Sequence, residues 1–217
     1  MSHRPHRLEQ ASCATPVTSE QVSDAVLRGS WVVDLRARSD YARAHLPGSV
    51  NVEHDEGFAA HVGWMLPCED DIVLLSDSPA DLLAAAHDLA GLGIHRLEEH
   101  LLEARDRLSA SYRVARWDDW VSDGPSDQPR RVVVDVRTAE EHGAGHVPGA
   151  VHVDLAEVER RAPLLPSGEL WVHCATGRRA AVAASVLHRM GRRVVHVDDT
   201  WDRAAARVLA PGGGLAA

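Results

Sequence analysis

One cysteine in this 217-residue chain stands where a thiol can react. Cys174 follows the apolar run Leu170-Trp171-Val172 and opens the loop Cys174-Ala175-Thr176-Gly177-Arg178-Arg179. That loop leads into a helical stretch over residues 180–190. A thiol at the end of a strand, facing a helix N-terminus and two arginines, is placed to ionise. The thiolate is the nucleophile; the thiol is a poor one. The backbone N–H groups of such a loop can converge on an anion. Gly177 lets the backbone come close without a Cβ clash. Arg178 and Arg179 add planar donors suited to oxyanions.

The elements that must position this loop occur twice. Val32-Val33-Asp34-Leu35-Arg36 matches Val133-Val134-Asp135-Val136-Arg137. His45-Leu46-Pro47-Gly48 matches His146-Val147-Pro148-Gly149 at the same lag of 101 residues. Farther on, Leu92-Gly93 matches Met190-Gly191 at a lag of 98. A constant lag carrying Asp, Arg, His, Pro and Gly marks two homologous domains. Each copy reads as a short helix, a β-branched strand ending in Asp-x-Arg, a polar helix and a Pro-Gly turn. A second apolar strand, a loop and a longer helix follow. Leu82, Ala85, Ala86 and Leu89 lie at helical spacing in the first long helix, as do Ala183, Val186, Leu187 and Met190 in the second. A last strand is expected at residues 95–97 and again at 194–197. Strands alternating with helices predict an α/β fold of two domains, each a parallel β-sheet sandwiched by helices.

This reading divides the chain into an N-terminal arm (1–14), a first domain (15–109), a second domain (110–210) and a C-terminal tail (211–217). Residues 109–112 read as the linker, and 122–130 as a surface loop inside the second domain. With 45% hydrophobic and 25% charged residues the chain is globular in composition. A net charge of −9 speaks against nucleic acid or anionic membrane as partners. Cys13, Cys68 and Cys174 are too few and too scattered for a disulfide framework or a zinc knuckle. They fit a reducing, cytoplasmic compartment. No signal peptide or membrane span is expected from the sequence. The scattered histidines predict no metal.

Cys174-x-x-Gly177-x-Arg179-Ala180 resembles the active loop of rhodaneses, the thiosulfate and persulfide sulfurtransferases. Asp135-x-Arg137 and Glu141-x-x-x-Gly145-His146-Val147-Pro148-Gly149-Ala150 resemble that family's other two signatures, in its order. The resemblance implies that Cys174 is the catalytic residue and carries sulfur as a persulfide. It implies a substrate-binding loop of Ala175, Thr176, Gly177, Arg178, Arg179 and Ala180. Asp135, Arg137 and His146 match positions that support the fold. The partners implied are a small anionic sulfur donor and a thiol, cyanide or protein-cysteine acceptor; no metal or organic cofactor is implied. Ala175-Thr176-Gly177 leans toward thiosulfate or a low-molecular-weight persulfide rather than mercaptopyruvate as donor. One departure stands out: near the end, where the family carries a glycine pair ahead of a tryptophan, this chain reads Val197-Asp198-Asp199-Thr200-Trp201. The segment Gly57 to Pro67 resembles the rhodanese half of fusions with a metallo-β-lactamase-like persulfide dioxygenase, which implies a separate enzyme of that kind as a partner.

The first copy looks inactive. Ser76 falls opposite Cys174, and Asp81 opposite Arg179. The loop Ser76-Asp77-Ser78-Pro79-Ala80-Asp81 has no thiol, glycine or arginine, and its aspartates repel an anion. Serine without a base is a weak nucleophile. This domain is expected to cover the other's cleft.

Two rival functions share the thiolate. A persulfide sensor or docking module would take up sulfur without turnover. A cysteine phosphatase or arsenate reductase needs five residues between Cys and Arg; here position 180 is alanine and Arg179 comes one residue early. Hydrolysis of an aryl phosphate should therefore be undetectable above the Cys174→Ala background. Turnover that depends on Cys174 would overturn this.

Overall fold

The β-branched runs become the central strands of two five-stranded sheets, every strand pair in them parallel. The computed structural model describes residues 15–16, 19–65, 71–102, 108–122 and 130–208. The expected arm, the tail, Cys13 and Cys68 lie outside these residues, as does most of the 122–130 loop. Among the described residues no helix is long and apolar enough to cross a membrane.

The first sheet has the order β1-β5-β4-β2-β3. Its strands are β1 (Thr15–Pro16), β2 (Trp31–Asp34), β3 (Val50–Asn51), β4 (Ile72–Ser76) and β5 (Leu97–Leu101). Its helices are α1 (Ser19–Leu27), α2 (Arg38–Arg43), α3 (Phe58–Met65) and α4 (Pro79–Gly91). The second sheet repeats the order as β6-β10-β9-β7-β8. Its strands are β6 (Arg113–Ala115), β7 (Arg131–Asp135), β8 (Val151–His152), β9 (Glu169–His173) and β10 (Arg193–Val197). The accompanying helices are α5 (Trp117–Ser122), α6 (Ala139–Gly143), α7 (Val158–Arg161), α8 (Arg178–Arg189) and α9 (Trp201–Arg207). A 3-10 turn, Leu155–Glu157, precedes α7. Strands buried on both faces need continuous apolar sequence, which is why β2, β4, β7, β9 and β10 are the readable ones.

The duplication extends to side chains. Arg36 reaches Asp34 at 2.6 Å and the Ala44 carbonyl at 3.0 Å. Arg137 reaches Asp135 and the Gly145 carbonyl, both at 2.7 Å. Each pair ties its strand end to the end of the following helix. Gly48 (φ 86°) and Gly149 (φ 76°) then make the turn into β3 and β8.

The last strand of the first domain departs from expectation: it runs from Leu97 to Leu101, not over 95–97. Ile94 bonds back to Leu89 and is buried in the core as the closing contact of α4. Polar Glu98, Glu99 and His100 mask the strand that follows. Short β1, β3, β6 and β8 carried no sequence signal. The 109–112 linker is not free either. Ala110 pairs with His45, and the Tyr112 N–H donates to Ala42, so the crossing lies along the first domain.

Helix α8 makes the domains inseparable. Its residues Ala180 to Leu187 are all buried, while Met190 beyond its end is largely exposed. It packs on β9 and β10 of its own sheet and on β3 of the other. A helix buried all round needs small side chains where backbones approach, and this one supplies four alanines there. Ser185 sits where the sheets meet: its hydroxyl donates to Val182 and accepts the Asn51 N–H at 2.9 Å.

His45, the first domain's turn histidine, is also enclosed at this junction. Its ring stacks on Tyr41 at 4.0 Å, lies near Tyr112 and His188, and donates through Nδ1 to the Tyr41 carbonyl. Burial lowers its pKa from 6.5 to about 4. A histidine kept neutral when folded but protonated when unfolded costs stability as pH falls between those values. The slope is about 1.4 kcal/mol per pH unit for one such group. Melting temperature should therefore be highest near neutrality and fall from pH 6.5 toward pH 4, less steeply in His45→Phe. An identical slope in that variant would remove His45 from the account.

Candidate active site

Cys174 begins at the carboxyl end of β9, beside the end of β7. The chain leaves β7 to one side and returns through β9 on the other, so this is the sheet's switch point, where α/β folds open a crevice. The cysteine is 1% exposed. The Ala180 N–H, in the first turn of twelve-residue α8, meets its sulfur at 3.4 Å. The positive end of a helix thus faces the sulfur.

Three contacts shape the loop. The Ala175 carbonyl accepts from the Trp201 N–H, and the Gly177 carbonyl from His196 Nε2–H, each at 2.9 Å. Gly177 has φ 85° and packs against Asp198, so a Cβ there would strike the Asp198 carboxylate. The loop closes only because residue 177 is glycine. His196 and Asp198 were not legible as site residues; Asp198 signalled itself only as one of two adjacent acids ahead of Trp201.

Every guanidinium near the mouth has an acidic partner. Arg179 makes two 2.7 Å bonds to Glu141, whose pKa falls to about 2, chiefly through them. Arg179 is held protonated first by Glu141 and further by the Cys174 sulfur, against the cost of burial. Arg178 pairs with Asp55 of the first domain at 3.0 Å. Arg38, also from the first domain, joins Glu53 at 2.6 Å and Asp198 at 3.0 Å. The expectation of two arginines open toward an oxyanion thus meets a site whose arginines are already paired. Arg38, Asp55 and Glu53 escaped sequence reasoning because their partners are distant in the chain.

The other expected residues sit below the loop. Asp135 is fully buried; burial alone would raise its pKa, but Arg137, His173 and His142 outweigh that and hold it ionised. Arg137 also lies 3.8 Å from the Trp201 ring centre. His146 is exposed and stacks on His142, which stacks in turn on His152. His173 precedes Cys174 but faces Trp117 and Trp201 on the opposite side of the strand, neutral through burial, with its pKa lowered to about 4. It is no base for the thiol. In the first domain, Ser76 occupies the place of Cys174, buried, its hydroxyl accepting the Ser78 N–H at 3.1 Å. Ser78 caps α4 with Pro79 behind it, an ordinary helix start in place of an anion cradle.

The rhodanese-like domain family matches residues 18–101 and again 118–206. YrkF of Bacillus subtilis (strain 168), a candidate sulfur carrier protein, is 40% identical over 67 residues, which are 30% of this chain and 36% of that protein. The matched stretch is thus about a third of that relative's length. Similar solved structures include SSP1007 from Staphylococcus saprophyticus (22% identity, TM-score 0.38, 42% of this chain and 91% of that one). Another is thiosulfate sulfurtransferase from Pseudomonas aeruginosa (19% identity, TM-score 0.36, 90% of this chain and 40% of that one). With both halves matched, the chain belongs to the rhodanese-like domain family as a tandem, a membership that supports sulfur transfer in general.

Proposed function

We propose that this protein is a sulfurtransferase working through a Cys174 persulfide. The observation that carries this reading is the buried sulfur set against the N-terminus of α8, with the Ala180 N–H directed at it. A sulfur anion gains there from the helix dipole and from amides fixed beforehand. The Cys174 thiolate attacks the outer sulfur of thiosulfate or of a low-molecular-weight persulfide. A new S–S bond forms, the donor's S–S bond breaks, and sulfite or a thiolate leaves with the electron pair. A thiol or cyanide then attacks the outer sulfur of Cys-S-SH, and Cys174 departs as thiolate. No net oxidation occurs, so the cycle needs no cofactor. The first domain takes no chemical step in this reading; it closes the cleft and holds the loop through Arg38 and Asp55.

Intact mass after exposure to thiosulfate or glutathione persulfide should show the gain of one sulfur. The gain should be absent in Cys174→Ala and be discharged by cyanide as thiocyanate. A wild-type protein unchanged by either donor would sink the reading. Gly177→Ala tests the loop. A left-handed alanine costs about 1–2 kcal/mol, so loading should slow by about five- to thirtyfold. Adding Asp198→Gly should recover part of the rate, because the carboxylate that the new Cβ strikes is gone. A fully active Gly177→Ala would separate loop closure from catalysis.

A further inference from the structure

We propose that the cleft between the domains binds the uncharged organic body of a thiol or its persulfide, and that Trp64 of the first domain selects it. The proposal rests on the sulfur-transfer reading and narrows its substrate class. A cavity of about 200 Å³ lies beside the active loop, with Arg179 in its wall. Val136, Leu155 and Ala156 of the second domain form its floor, and Trp64 of α3 stands across from them. A hollow of about 90 Å³ shares Leu155 and Ala156 and continues past Met65 toward Val158 and Val186. The larger cavity has room for about seven water-sized groups. Cyanide or sulfite would fill little of it.

The cavity's one guanidinium is already paired, and its other two polar side chains each accept a backbone N–H. Asp154 accepts the Ala156 N–H, Thr138 accepts the Glu141 N–H, and Arg179 is doubly bound to Glu141. Around the mouth, the guanidiniums of Arg38, Arg178 and Arg179 face the carboxylates of Glu53, Asp55, Asp198 and Glu141. With its charges already paired, this mouth gives a carboxylate-bearing thiol no attraction that an uncharged one lacks. What remains for recognition is apolar surface, and Trp64, 53% exposed, is its largest element. An aromatic side chain left half in water at a cavity rim gains by covering a ligand. The same apolar body could arrive on the donor persulfide or on the acceptor thiol; the surface is identical for both.

The test has a binding arm and two kinetic arms on the full chain. Benzyl methyl sulfide, which cannot transfer sulfur, should bind the wild type in calorimetry, at least tenfold more weakly to Trp64→Ala, with Trp64→Phe recovering most of the loss. In the acceptor arm, protein loaded with glutathione persulfide is discharged by phenylmethanethiol, mercaptosuccinate or cyanide. The preference for phenylmethanethiol over mercaptosuccinate should fall about tenfold in Trp64→Ala and persist in Leu83→Ala, a change on an exposed face of α4. In the donor arm, loading by phenylmethyl persulfide is compared with loading by thiosulfate in the same variants; the arm that shows the Trp64 effect identifies the partner carrying the apolar group. Equal binding by wild type and Trp64→Ala, or a preference unmoved in both kinetic arms, overturns the proposal. Binding without any loading at Cys174 would retain the cavity and overturn the sulfur-transfer reading instead.

Discussion

The burial of α8 on all sides is the constraint from which the rest follows. A single-layer domain buries one stripe of a helix and leaves the other to water. Here the helix that begins at the reactive loop is enclosed by its own sheet and by the neighbouring domain. Its alanines allow the close approach, and the Asn51–Ser185 bond fixes the register. The helix cannot tilt without disturbing the core that both domains share. Its N-terminus, and with it the Ala180 amide, is therefore held against the cysteine by the packing of both domains.

The loop ahead of that helix is closed by contacts from several elements. Trp201, His196 and Asp198 hold it from the end of the second sheet, and Asp55 and Arg38 reach it from the first. Asp198 packs against Gly177, and its charge is met by Arg38. The first domain's loop has neither thiol nor glycine, but the domain supplies Arg38, Glu53 and Asp55 to the other copy's site. The half without a thiol thus helps hold the loop of the half that has one.

Much of this was readable from the chain. The two sheets, their parallel strands and the loop at Cys174 followed from β-branched runs, helical spacing and a lag of 101 residues, because these signals are local or periodic. The misplaced strand at Leu97–Leu101 shows the limit: acidic residues in a half-buried strand look like a loop. The pairing of Arg178 and Arg179 was hidden for a different reason. Two adjacent arginines in an acidic chain look available until the fold brings Asp55 and Glu141 to them from 123 and 38 residues away.

Trp64 and Arg179, the latter in the loop that Cys174 opens, line one cleft but sit in different copies of the duplicated unit. The side chains that would discriminate among substrates and the atom that would break their bonds are thus encoded in separate halves of the gene. On the proposed reading, variation in α3 can reshape what the cleft admits while Cys174, its helix and its loop stay untouched. A duplication that first looks like redundancy then divides the work, leaving selection free to tune one half without re-solving the chemistry of the other.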